Sequence, residues 1–420
     1  MPRREKWPLG HFFFKLPSMR AGISESSSAA RLISIDALRG MAALGVVLYH
    51  AVMQTSNGSH HYLLDAAINL IRLVTSFGYI GVFLFFVISG FCIHLQWARA
   101  RSEARDPQIK FRTFWARRIR RLYPPYLIAL VLYLGMQAVS SGISLTRFFG
   151  YDLLMHLLML HNVDWRTSYS INGVFWTLAI EEQLYLAYFV LLFLRTRWGW
   201  GPTLLVCFLA RPAWFFLGHG IWLISGLALP VPEAAASHWF TWALGAISVE
   251  AAFGIIEIPR WCKNLWLGSL AILLASTISL LLPQLQKDTI LHDGGWLIMH
   301  PLWGFGFFAL VNRWVLAEKR WTGVRPRLLI SAAAFIGIFS YSLYLTHELV
   351  IMQSWRFVIN WLPPMANTFL VLTPITIIFA WVFFRFCEKP YMRRSGKYKR
   401  PVERSTADMF PVLAEEELAS

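Results

Sequence analysis

Charge is scarce in this sequence: only 15% of the 420 residues are Asp, Glu, Lys or Arg, and only 23 of them are acidic. A soluble domain carries about a quarter charged residues, so a fold solvated on every side is excluded, and intrinsic disorder is excluded with it. Cysteine is nearly missing. Cys92 and Cys207 fall inside apolar runs and Cys262 and Cys387 at their ends, which suggests no disulfide-stapled module and implies no metal site. A long polar stretch that could fold as a sizeable soluble domain is also lacking, as is an internal repeat of the inverted-transporter kind.

What is present is apolar sequence, 56% of the chain, with a mean hydropathy of +0.49. A membrane-spanning helix needs about 20 apolar residues. Runs of that kind lie at 33–53, 76–97, 122–142, 174–194, 202–218, 238–256, 264–283, 291–314, 330–353 and 365–386. The fold predicted is therefore all-α, a polytopic membrane protein of about ten transmembrane helices. The apolar piece at 153–161 is too short to cross and is expected as a re-entrant or interfacial helix on the outer side.

The net charge of +16 does not indicate nucleic-acid binding, because the basic residues share no single surface. With a cytoplasmic N-terminus, 32 of the 39 Lys and Arg fall in inner segments and five in outer ones, namely Arg72, Arg147, Arg166, Lys287 and Arg356. Arg39 and Arg211 lie within spans. That bias places both termini in the cytoplasm. Residues 1–32 are then a cytoplasmic tail with no cleaved signal, 33–387 the transmembrane domain, and 388–420 a second cytoplasmic tail. The triplet Asn57-Gly58-Ser59 falls in an outer loop, where glycosylation is permitted, but three residues match by chance often.

Ionisable groups inside a bilayer are costly, so each is a functional candidate. Arg39 and His50 are eleven residues apart in one span, which returns them to within about 20° of one helical face and separates them by about 16 Å along the axis. Taken alone, the pair also fits an arginine that snorkels to the headgroups and an imidazole at the interface. Glu181 and Glu182 follow in the fourth span, His347 and Glu348 in the ninth, and His292 and Asp293 open the eighth. Imidazoles and carboxylates at one depth suit acid–base chemistry. On the opposite side, Arg117, Arg118, Arg120 and Arg121 stand before Pro124 and Pro125, which are expected to break the chain there. Lipid phosphates would suit these arginines, and so would the phosphates of a nucleotide. Gly78, Gly81 and Gly90 allow helices or a thin ligand to approach closely.

Read in order, Arg39-x10-His50, GVFLFFVISGF at 81–91, RRIRR at 117–121 followed by LYPPY, WTLAIEEQLY at 176–185, SYSLYLTH at 340–347 and EKPY at 388–391 resemble the acyltransferase-3 family of integral membrane O-acyltransferases. The resemblance runs from about residue 33 to 392. It implies an enzyme of ten helices, multi-pass in a bacterial inner membrane, that takes an acyl group, often acetyl, from cytoplasmic acyl-CoA to a hydroxyl of a glycan or other acceptor. It implies His50 as the catalytic histidine with Arg39 as its partner, and Arg117, Arg118 and Arg121 as the binding residues for the CoA phosphates. Membrane lipids are the only other partner implied. Many relatives carry a fused periplasmic domain; this chain is expected to be a stand-alone member. The outer loop at 227–239, with Glu233 and His238, is a candidate for shaping an acceptor mouth.

In the mechanism expected, His50 takes the acceptor hydroxyl proton during attack on the thioester. A carboxylate from Glu181 or Glu182 orients an imidazole or holds the acceptor, with His347 nearby. An acyl-His50 intermediate is the alternative chemistry. A non-enzymatic transporter or flippase is the alternative function, since the same charges could bind a solute.

Overall fold

The computed structural model describes residues 32–54, 62–141, 147–226, 229–230, 232–285, 290–319, 328–358 and 362–392. Both expected tails, except for their inner ends, and the Asn57–Ser59 triplet lie outside the described residues. The described chain is helical, with no strand: α1 (Ile33–Gln54), α2 (Tyr62–Ser76), α3 (Gly81–Ser102), α4 (Phe111–Ser141), α5 (Arg147–Leu157), α6 (Trp165–Ser168), α7 (Trp176–Trp198), α8 (Trp200–Ser225), α9 (Ala235–Ala252), α10 (Leu265–Leu281), α11 (Ile290–Lys319), α12 (Leu328–Ile338), α13 (Ser340–Val358), α14 (Pro364–Asn367) and α15 (Thr373–Phe383). The protein is an all-α polytopic membrane fold.

Every one of the ten apolar runs coincides with helix, yet fewer than ten are ordinary spans. Among the described residues eight helical stretches are long and apolar enough to cross a bilayer. A ninth, the run at 330–353, is broken into α12 and α13, bent by 79°. The run at 238–256 forms α9, which is not apolar enough to qualify. Fourteen of its eighteen residues are buried, Glu250 and His238 among them. A helix wrapped in protein has no lipid-facing side to keep apolar, so it can carry charge that a lipid-exposed helix cannot.

Helix association in lipid depends on close packing rather than on expulsion of water, and small residues set the crossings. At the α3–α9 crossing, a Cβ on Gly90 would lie 1.9 Å from the Trp242 carbonyl oxygen, and one on Gly245 equally close to that of Val87. At the α1–α12 crossing, Gly40 and Gly337 meet backbone at the same distance. Gly78 and Gly81 press against Gly45 and Ala42 of α1, so the three glycines expected to permit close approach all do so.

One local feature departs from the sequence reading, and another refines it. Pro124 and Pro125 sit inside α4, which runs on through them for 31 residues. The hydroxyl of Tyr341 donates to the Leu122 carbonyl (2.9 Å) beside the two missing amide donors. The piece at 153–161 is helical only to Leu157, where α5 ends. At eleven residues α5 is about 16 Å long, too short to cross. It buries Asp152 and His156 and exposes Leu154 and Leu157 on the opposite side.

The N-terminus of α1, the helix bearing both Arg39 and His50, is capped from α11. Glu318 accepts from the backbone amides of Ile33 (2.8 Å) and Ser34 (3.0 Å) and from the Ser34 hydroxyl. A carboxylate there satisfies otherwise orphaned donors and opposes the positive end of the helix.

Candidate active site

α1 is unbroken, so its two candidates stand at opposite ends of one rod. At the Arg39 end is a cavity of about 160 Å³ whose lining includes Arg39, Arg118, Arg121, Glu181, Tyr185 and Tyr344. Arg118 and Arg121 are three residues apart on α4 and share a face. The Arg118 guanidinium lies over the rings of Phe114 and Tyr185, 5.2 and 5.6 Å from their centroids. Among the described residues, the buried Nε atoms of Arg118 and Arg121 have no hydrogen-bond partner. Arg117, one step round the helix, donates instead to Gln96 (3.2 Å) and does not line the cavity.

Counter-charge comes from two directions. Glu181 accepts from Ser89 (2.7 Å) and, more closely, from Tyr185 one turn along α7. Glu388, of the EKPY motif, accepts from Ser342 (2.6 Å) and lies within electrostatic reach of Arg121 and Arg39. Glu182 is also buried, with neither carboxylate oxygen hydrogen-bonded, and it does not line the cavity. Neither Glu181 nor Glu182 hydrogen-bonds to His50 or His347.

At the other end of α1, His50 and His347 face each other, Nδ1 to Nε2 at 3.3 Å, with ring centroids 4.9 Å apart. The hydrogen bonds fix the tautomers. His347 Nδ1 faces the carbonyls of Tyr344 (2.8 Å) and Leu343 (3.2 Å), so it carries hydrogen and leaves Nε2 as an acceptor. His50 Nδ1 faces the Val46 carbonyl (2.9 Å) and His347 Nε2, so it too must donate. That leaves the lone pair on His50 Nε2, to which no group bonds among the described residues, in the tautomer a general base needs.

Tyr344 is the wall between the two ends. It lines the cavity, and its ring centroid is 5.6 Å from that of His347. Its hydroxyl is tied to Thr177 (2.6 Å) and donates to the Val174 carbonyl (3.1 Å), which fixes the entry to α7. The sequence reading did not single out Tyr344, Ser89 or Tyr185. Tyr185 alone had a local signal, its i, i+4 spacing from Glu181.

Other charged groups and imidazoles make their contacts away from this site. Glu250 accepts from Arg195 (two bonds at 3.0 Å), His94 (2.8 Å) and Trp200 (2.9 Å), which ties four helices together. Glu233 accepts from Tyr169, while His238 donates to the Pro232 carbonyl (2.8 Å) and stacks on His300. His292 is bonded to its neighbour Asp293 (3.0 Å). His156 and His161 stack with centroids 4.1 Å apart. Burial, together with His156 alongside, pushes His161 down to about 3, so it is a neutral packing residue at ordinary pH. Among the described residues no group of three or more ligating side chains could hold a metal.

A family model described as an acyltransferase domain matches residues 32–385. The chain belongs to the acyltransferase-3 family. A Staphylococcus aureus (strain COL) protein with a provisional O-acetyltransferase name is 26% identical over 399 residues, covering 90% of this chain and 60% of its own length. The peptidoglycan O-acetyltransferase OatA of Listeria monocytogenes is 26% identical, covering 86% of this chain and 56% of its own. The O-acetyltransferase OatA of Staphylococcus aureus (strain NCTC 8325) is 25% identical, with 87% and 58% covered. The chain thus spans about three-fifths of the length of these curated relatives. No solved structure matches at a significant level.

Proposed function

We propose that this acyltransferase-family chain moves an acyl group, acetyl foremost, from cytoplasmic acyl-CoA to a hydroxyl of a glycan or other envelope acceptor, and that it resides in a bacterial inner membrane. The observation that carries this reading is the pairing of His50 with His347, which leaves His50 Nε2 free, behind the same Tyr344 wall as a cavity lined by Arg39, Arg118 and Arg121. On this reading 33–387 is the catalytic domain, with the buried Glu388 packed onto it, and the two flanking segments are cytoplasmic tails.

Arg118 and Arg121 would hold the phosphates of the donor, which a guanidinium does with two parallel bonds. At about 160 Å³ the cavity is smaller than the roughly 300 Å³ of the smallest whole-ligand sites, a size for a slender pantetheine arm with the nucleotide left at the arginine mouth. His50 Nε2 takes the proton of the acceptor hydroxyl as its oxygen bonds to the thioester carbon. The C–S bond then breaks, and the departing thiolate takes that proton back as CoA-SH. His50 is left neutral and ready for a second turnover. The Listeria relative makes a peptidoglycan sugar the first acceptor to try.

The test uses purified, reconstituted full chain with radiolabelled acetyl-CoA and a crude envelope fraction. Label should move into the envelope, and His50→Ala should lose about 100-fold or more of that transfer while inserting normally. Retained transfer in His50→Ala would refute the reading. Its topology is tested by reporter fusions, which should read as inside after residues 105, 320 and 400 and as outside after 60, 165 and 230.

A further inference from the structure

We propose that Glu348 is the positioning carboxylate of this site, holding its charge beside His50 so that the imidazolium formed on proton uptake is stabilised. The inference rests on His50 acting as the base. Three observations place Glu348 in this role. It follows His347 on α13, and its carboxylate lies within electrostatic reach of His50. One oxygen, Oε2, is pinned by two donors from the loop before α7, Asn172 Nδ2 at 2.6 Å and the Gly173 amide at 3.0 Å. The third is the glycine itself. A Cβ on Gly173 would stand 2.7 Å from Glu348 Oε1, and its three nearest atoms would all belong to the Glu348 carboxylate.

The loop is built to hold this acid. Asn172 is buried, and its Oδ1 accepts from the Val174 amide (2.8 Å), which leaves its amide nitrogen aimed at Glu348. Val174 in turn takes the Tyr344 hydroxyl. Tyr344, His347 and Glu348 stand at i, i+3 and i+4 on one face of α13, so one loop fixes the residues on either side of the imidazole that touches His50. Two donors pin Oε2 in place and leave Oε1 for the field at His50. When the acceptor proton moves to His50 Nε2, the new positive charge forms next to a fixed negative one, and no water has to reorient.

Glu348→Gln keeps an oxygen for Asn172 and Gly173, so it removes charge and little else. In the labelled-acetate transfer assay it should lower kcat at least about tenfold and leave KM for acetyl-CoA unchanged, because only a charge that develops after binding is affected. The second variant is Gly173→Ala, which displaces the carboxylate without changing it. It should lower kcat with Glu348 present and have no further effect in a Glu348→Ala background, where the obstructing atoms are gone. Folding is checked for each variant by gel filtration and thermal unfolding in detergent.

Normal turnover in Glu348→Gln, with His50→Ala inactive, overturns the proposal and leaves the catalytic histidine standing. Fully additive losses from Gly173→Ala and Glu348→Ala overturn it as well. Activity in His50→Ala would instead overturn the base on which the proposal rests.

Discussion

Arg211 and Arg121 are both guanidinium groups inside the membrane domain, and they are housed in opposite ways. Arg211 of α8 donates to the carbonyls of Trp296 (2.5 Å), Leu297 (3.2 Å) and Ser237 (3.3 Å) and to His300 Nδ1 (2.6 Å), and it lies 3.8 Å from the Trp296 ring centroid. The Leu297 carbonyl is the one freed by Pro301, four residues on in α11. Arg211 thus supplies the donor that Pro301 withholds within α11. Arg121 of α4 has no such set of acceptors; its Nε is unpaired and it lines a cavity. An intramembrane charge therefore marks function only after its local partners are counted. A cation whose donors all end on protein has a structural task, and one left facing a cavity has capacity for a ligand.

The largest effect that would break this contrast is on folding. Arg211→Leu leaves several buried acceptors without a donor and should lower stability by about 3 kcal/mol or more, read as thermal unfolding in detergent. If Arg211→Leu unfolds normally yet cannot transfer acetate, Arg211 belongs with the functional arginines and the contrast fails. Next comes the donor site. Arg118→Gln with Arg121→Gln should weaken CoA binding about ten- to a hundredfold in a calorimetric titration without loss of thermal stability, because those groups have few protein partners to lose. Lysines should rescue only in part, since a point charge lacks the guanidinium fork.

A third measurement sharpens the picture of the cavity without mutation. Cys92 lines it beside the arginines, so alkylation of that thiol should slow about tenfold at a CoA concentration ten times Kd. Equal alkylation rates with and without CoA would mean that the ligand sits elsewhere. The smallest effect expected is for Arg117→Gln, under about twofold in CoA affinity, because Arg117 turns to Gln96 rather than to the cavity. A loss matching that of Arg121 would return Arg117 to the donor site.

Much of the site could be read locally. Arg39 and His50 follow from one helical stripe, and the pair Arg118 and Arg121 from a three-residue spacing. The contact of His50 with His347 could not, because 297 residues separate them and only the packing of α1 against α13 joins the two rings. The same limit explains why Glu181 and Glu182 were expected to serve an imidazole. They share its depth along the sequence, but Glu181 accepts from Ser89 and Tyr185 and lines the cavity with the arginines, contacts that only the packing of α3, α4 and α7 could show.

Composition and the period of apolar residues by themselves determined a helical membrane protein, since lipid admits few other backbones and each span must be apolar where lipid touches it. Sequence order also carried the family, through motifs that are short and local. Tertiary structure alone decided which apolar runs are ordinary spans. α9 is wrapped in protein and freed from the demand for apolarity, and the run at 330–353 is bent into α12 and α13. It also decided which charges are satisfied, because hydrogen-bond partners come from helices far away in the chain. A single sequence records how costly a buried charge is, and only the fold shows what balances it.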